Sequence, residues 1–86
     1  MDTDNQIYYE ENEMPDLTGE QFRFIRQSAG ISQVVFANFV HRSAVTIRRE
    51  ELKERVRPLF IRGLLEFIND PSFVNLIIRR WNQQHE

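Results

Sequence analysis

The sequence predicts an all-α domain of five helices, and three observations carry that expectation. Apolar residues recur at three- and four-residue spacings from Phe22 to Trp81, and no stretch alternates as a strand would. Thr18, Ser32, Ser43 and Asp70 each stand where a side-chain oxygen can accept from the first free N–H groups of a helix. Pro58 marks the remaining start, because its fixed φ suits the first helical position.

Each element follows from these marks. Thr18 opens the first helix, and Gln21 three residues later completes a capping box. Phe22, Ile25 and Ala29 share one face, and Gly30 ends the helix in a left-handed conformation. Ser32 caps the second helix, with Phe36, Ala37 and Val40 turned inward, and His41-Arg42 breaks it. Ser43 caps the third, anchored by Ile47, with Leu52 and Val56 continuing its apolar side to about Arg57. The fourth runs from Pro58 to Asn69 and carries Phe60 or Ile61, Leu64, Leu65 and Ile68 on a broad apolar face. Asp70-Pro71 starts the fifth, which spans about residues 72–82 and carries Phe73, Val74, Ile77, Ile78 and Trp81.

The charges are segregated along the chain. Residues 1–16 hold six acids and no Lys or Arg, whereas residues 17–86 hold all eleven bases against seven acids, a net +4. An acidic arm on a basic body points to a polyanion partner or a masking tail, the plainer alternative being an arm that aids solubility. The arm shows no helical period and is expected to be largely disordered, with Ile7-Tyr8-Tyr9 as a short piece able to dock in extended form. The absence of Cys excludes disulfides and thiolate metal sites and fits a reducing cytosol. No apolar run reaches membrane-spanning length, and Asp2 and Asp4 stand where a signal peptide would be positive, so a cytoplasmic protein without membrane contact is expected.

Residues 31–47 are the densest in information. Two short helical patterns meet at a tight polar break, and Ala37 stands where two helices must approach closely. Phe36, Val40 and Ile47 fix their angle, which is the layout of a helix-turn-helix. Gln33 opens the second helix, where N–H groups favour an anion, and the third begins with a small, polar and basic turn and a half.

Gly30, Ile31, Ser32, Gln33, Phe36, Ala37, Phe39, Val40, Ser43, Thr46, Ile47 and Glu51 together resemble the Cro/repressor (XRE-type) helix-turn-helix family. Leu17-Thr18-Gly19-Glu20 and residues 22–26 extend the match, which covers residues 17–69. The resemblance implies a five-helix lambda-repressor-like domain with the third helix, residues 43–53, in the major groove. Gln33 and Ser43 would hold the DNA backbone, Ala44, Val45 and Arg49 would face base edges, and Thr46 and Arg48 would lie nearer phosphates. Arg42 and Lys53 complete the expected DNA-contacting set. Arg49 suits a bidentate contact with guanine, and Ala44 and Val45 suit thymine methyls. Three positions depart from the family: His41 replaces the turn Gly, Arg42 replaces a buried apolar residue, and Glu50 replaces a Trp. Glu51 is placed to pair with Arg55 one turn later.

Arg57-Pro58, residues 64–68 and Asp70-Pro71 are similar to the C-terminal half of small antitoxin–repressors of this family, where that half carries dimerisation. Leu64, Leu65, Ile68, Phe73, Val74, Ile77, Ile78 and Trp81 are the expected dimer interface, because so many apolar groups exceed what two helices of a small body hide. The alternative is that they close a single intramolecular core. A two-fold pair would set two recognition helices in successive major grooves on an inverted repeat. The expected protein is a homodimeric, sequence-specific repressor that autoregulates a small operon on a phage, plasmid or other mobile element, with a toxin as a further partner of the acidic arm. The alternative is a protein-binding module (an antitoxin, anti-repressor or adaptor) that keeps the fold with little or no DNA binding. Glu50, Glu54 and the arm favour that alternative. No catalytic, cofactor or metal site is expected, since His41 and His85 lack neighbouring ligands and Ser43 lacks a base.

Overall fold

The computed structural model describes residues 14–85. Among them are five helices and no strand: α1 (Gly19–Ser28), α2 (Gln33–Phe39), α3 (Ala44–Glu51), α4 (Pro58–Ile68) and α5 (Pro71–Gln84). The four side-chain caps form as the sequence predicts. Thr18 Oγ1 accepts from the Gln21 N–H at 3.1 Å, while Gln21 Oε1 accepts from the Thr18 N–H at 2.9 Å. Ser32, Ser43 and Asp70 accept in the same way from Val35, Thr46 and Phe73. Such a cap stabilises its helix by about 1 kcal/mol.

The helix ends are equally local. Gly30 has φ 74°, and the N–H groups of Gly30 and Ile31 donate to the Gln27 and Arg26 carbonyls. His41 repeats this closure at φ 59° without being glycine. Its N–H donates to Asn38 and that of Arg42 to Ala37 at 2.9 Å, so two bonds hold a conformation that ordinarily favours glycine. Asn69, at φ 52°, turns the chain between α4 and α5.

One core joins all five helices. Phe22 and Ile25 of α1, Phe36 and Ala37 of α2, and Ile47 of α3 meet Phe60, Ile61, Leu64 and Leu65 of α4 and Val74 and Ile77 of α5. Leu17, Ile31 and Val56 close it from the connections. Phe22 and Phe36 pack edge to face with ring centres 5.5 Å apart. Gly63 lets α4 lie close on α2, since a methyl group there would stand 2.6 Å from Val40 Cγ1. No helix among the described residues is long and apolar enough to cross a membrane.

The structure corrects several expectations. Helix α3 stops at Glu51, so Leu52 is exposed and Val56 reaches the core from a non-helical connection. Two backbone bonds explain the early stop: Gly19 N–H to Lys53 O and Val56 N–H to Leu17 O, both 2.9 Å. Gly19 is seated on the end of α3, where any side chain would collide with the Glu51 carbonyl. Leu64, Leu65, Val74 and Ile77, expected at a dimer interface, lie inside the monomer's own core because the small body needs them to close it. Trp81 packs edge to face on Phe24 of α1 at 5.4 Å, and Ile68, Phe73 and Ile78 are half-buried against the core. Met14, Pro15 and Asp16, expected in the arm, line a surface recess with Arg55, Val56, Pro58 and Ile61. The expected disorder of residues 1–13 and the docking of Ile7-Tyr8-Tyr9 fall outside the described residues.

Candidate nucleic-acid interface

Helix α3 divides its charges by direction. Its apolar Ile47 is fully buried and ties it to the core, while Val45, Arg48 and Arg49 face solvent. Val45 is 44% exposed, and Arg48 and Arg49 have no hydrogen-bond or ion-pair partner among the described residues. The turn before α3 adds Arg42, also exposed, whose Nη1 donates to the His41 carbonyl at 3.3 Å.

The acids of the same helix lie on the opposite account: both are buried and both are matched by cations. Glu51 receives Arg26 Nε on Oε2 at 2.6 Å and Arg26 Nη2 on Oε1 at 3.1 Å. Arg26 Nη1 also donates to the Ile31 carbonyl at 2.6 Å, and Gln33 Nε2 reaches Glu51 Oε1 at 3.0 Å. One network therefore binds the end of α1, the start of α2 and the end of α3. Glu51 takes Arg26 rather than the expected Arg55, because the chain leaves the helix at Leu52 and Arg55 is no longer one turn away.

Glu50, only 1% exposed, closes the other side. Lys53 Nζ donates to its Oε2 at 2.5 Å, and the Arg57 Nε and backbone N–H donate at 2.9 and 3.3 Å. Burial pushes this carboxyl up, but the hydrogen bonds from Lys53 and Arg57 outweigh burial and hold it below the usual glutamate range. Lys53 and Arg57 at Glu50, and Arg26 at Glu51, offset the unfavourable placement of two acids at a helix C-terminus.

The structure brings together most of the residues expected at a DNA surface. Ser43, Thr46, Arg48 and Arg49 lie on or beside the first two turns of α3, with Ser43 Oγ and Thr46 Oγ1 3.1 Å apart. Ala44 is half-buried against the core and Val45 is free. Gln33 and Lys53 differ from the rest. Each donates to a buried glutamate, so each holds α3 in place and is tied to Glu51 or Glu50. Arg26, Glu50, Glu51 and Gly19 were not legible as a unit in the sequence. Their contacts join residues 25 or more positions apart or depend on where α3 stops, and no local period records either. Among the described residues no group of His, Cys, Asp or Glu is arranged to hold a metal ion. No protein-family model, curated protein or solved structure matches the chain.

Proposed function

We propose that the chain is a sequence-specific DNA-binding repressor in which α2 and α3 form a helix-turn-helix and α3 enters the major groove. The observation that carries this reading is the one-sided charge of α3. Val45, Arg48 and Arg49 are exposed with Arg42 beside them, while Glu50 and Glu51 are buried and neutralised. Of the acids that counted against DNA in the sequence, Glu50 is buried and paired, while Glu54 stays exposed in the connection after α3. Arg49 reads a guanine edge, Val45 contacts a thymine methyl, and Arg42, Ser43, Thr46 and Arg48 hold phosphates.

A homodimer reading an inverted repeat belongs to the same proposal, with a changed interface. Phe39 of α2 packs edge to face on Phe67 of α4 at 4.8 Å yet stays 45% exposed, and Val35 one turn earlier is also exposed. Ile68 and Phe73 line a recess with Phe67 beside it. This strip replaces the core-seated Leu64, Leu65, Val74 and Ile77 as the surface for a second copy. The same strip also favours the second reading, a protein-binding module such as an antitoxin, because Val34, Val35 and Phe39 leave a seven-residue helix with three exposed large apolar groups.

Salt separates the two. A DNA binder loses affinity with a log–log slope of about -0.9 per phosphate contacted, so three to five cationic contacts require a slope of roughly -2.7 to -4.5. A slope near zero on duplexes from its own promoter overturns the repressor reading.

A further inference from the structure

Helix α4 carries a charge pair that the chain itself leaves unmade. Leu59, Arg62 and Glu66 follow one another at three- and four-residue spacing on its outer face, away from the buried Phe60, Ile61, Leu64 and Leu65. Arg62 stands one turn before Glu66, yet neither has an ion-pair partner among the described residues. Their order is the weaker one within a helix, since the acid is better placed N-terminal to the base. Glu66 also lies in the last turn of α4, which holds no base, and an acid there is unfavourable unless a cation meets it. Apolar groups border the pair on the side of α2. Gly63 faces α2, and Leu59 and Phe67 stand one turn to either side of it. Leu59 and Phe39 are both 45% exposed, and Phe67 packs on Phe39. The face is therefore apolar along one edge, with one unpaired charge of each sign beside it.

We infer that this face of α4 meets the same face of a second copy, the two helices crossing antiparallel over two Arg62–Glu66 pairs. This contact rests on the homodimer proposed above, not on the binding of DNA. A partner surface of one sign satisfies only one of the two charges, whereas a second copy carries both. A two-fold axis makes residue i meet j while j meets i, so an axis beside the turn between Arg62 and Glu66 pairs all four charges at once. A parallel arrangement instead sets Arg62 against Arg62 and Glu66 against Glu66. In the antiparallel crossing Leu59 of each copy falls beside Phe67 of the other, and the two Phe39 side chains close the same edge. The ion pairs fix the register, while the apolar edge supplies the buried area.

Charge reversal in the full chain tests this. Arg62→Glu leaves two acids on the face and Glu66→Arg leaves two bases. Each variant alone should dimerise at least about tenfold more weakly than the unmodified chain in sedimentation equilibrium. An equimolar mixture of the two should recover dimers, each with one chain of either kind, because acid then faces base at both pairs. Both residues lie outside the core, and far-UV circular dichroism checks that each variant is folded. Should a reversal unfold the chain, Arg62→Gln and Glu66→Gln remove one charge each and should still weaken the dimer; unchanged association in both overturns the crossing. An unmodified chain that stays monomeric overturns the inference together with the homodimer, and the salt slope on duplexes then judges the DNA reading separately. Dimers that survive either reversal place the interface elsewhere and leave the homodimer standing. Weakened variants that fail to recombine on mixing overturn the antiparallel register.

Discussion

The two faces of α3 treat charge in opposite ways. On its exposed face, Arg48 and Arg49 stand in solvent without side-chain partners among the described residues, and the neighbouring Arg42 donates only to the His41 carbonyl. On its buried side, Glu50 and Glu51 are each gripped by two donating side chains. The difference separates positioning from contact. A charge that must orient a helix is taken out of water and paired, and the pairing spans elements. A charge available to a partner is left hydrated, where its cost is low and its interaction is screened by salt.

Breaking the buried face should have the largest effect. Arg26→Ala or Glu51→Ala leaves an uncompensated charge inside the protein and should cost about 3–5 kcal/mol. That is a large share of the roughly 5–15 kcal/mol by which domains are stable. Urea unfolding measures it, and the joint replacement Arg26→Met with Glu51→Leu should restore most of the loss. If each single change costs under about 1 kcal/mol, the network is not what holds α3.

The exposed face should answer differently. Arg49→Ala should weaken DNA binding by about 1–3 kcal/mol and relax preference at one base position, while stability moves by no more than about 0.5 kcal/mol. Binding isotherms on single-base variants of the site, read beside a melting curve, check both halves. Equal site preference before and after removes Arg49 from base reading. Ser43→Ala acts at the start of the helix, where losing the cap on the Thr46 N–H should cost about 1 kcal/mol. Thermal unfolding reports that value, and an unchanged Tm means the first turn holds without its cap.

The smallest effect is a slope. Because the Glu50 carboxyl is held below the ordinary glutamate range, the stability it contributes is present above about pH 4.3. It is lost as the pH falls through the lower folded value. Glu50→Gln should flatten that acid limb of the stability curve, seen in unfolding midpoints across pH 3–6. An acid limb as steep as that of the unmodified chain assigns it to other carboxyls.

The helix starts were legible because a cap is a local event. Thr18, Ser32, Ser43 and Asp70 each act within three residues, and the positive φ at Gly30 and Asn69 follows from residue types that accept it. The face of α3 was legible for the same reason, since Ile47 fixes which side turns inward. Its end was not. Only tertiary contact with Leu17 and Gly19 stops the helix at Glu51, and the apolar Leu52 and Val56 mimic a continuing stripe. The apolar residues of α4 and α5 were counted correctly and placed wrongly in part. An excess of Leu, Val and Ile does not reveal that Gly63 lets α4 settle deep on α2 and bring Leu64 and Leu65 into the core.

The seat of Gly19 on the end of α3 has a consequence for folding order. A helix of eight residues is too short to persist alone in water. Its last turn is held by bonds from Gly19 to Lys53 and from Val56 to Leu17, so residues from the beginning of the domain complete a helix near its middle. The candidate reading head therefore cannot form ahead of the scaffold or be cut away from it. Amide exchange at Gly19, Ile47 and Val56 is therefore expected to follow one cooperative opening, with α3 ordering in the step that closes the domain.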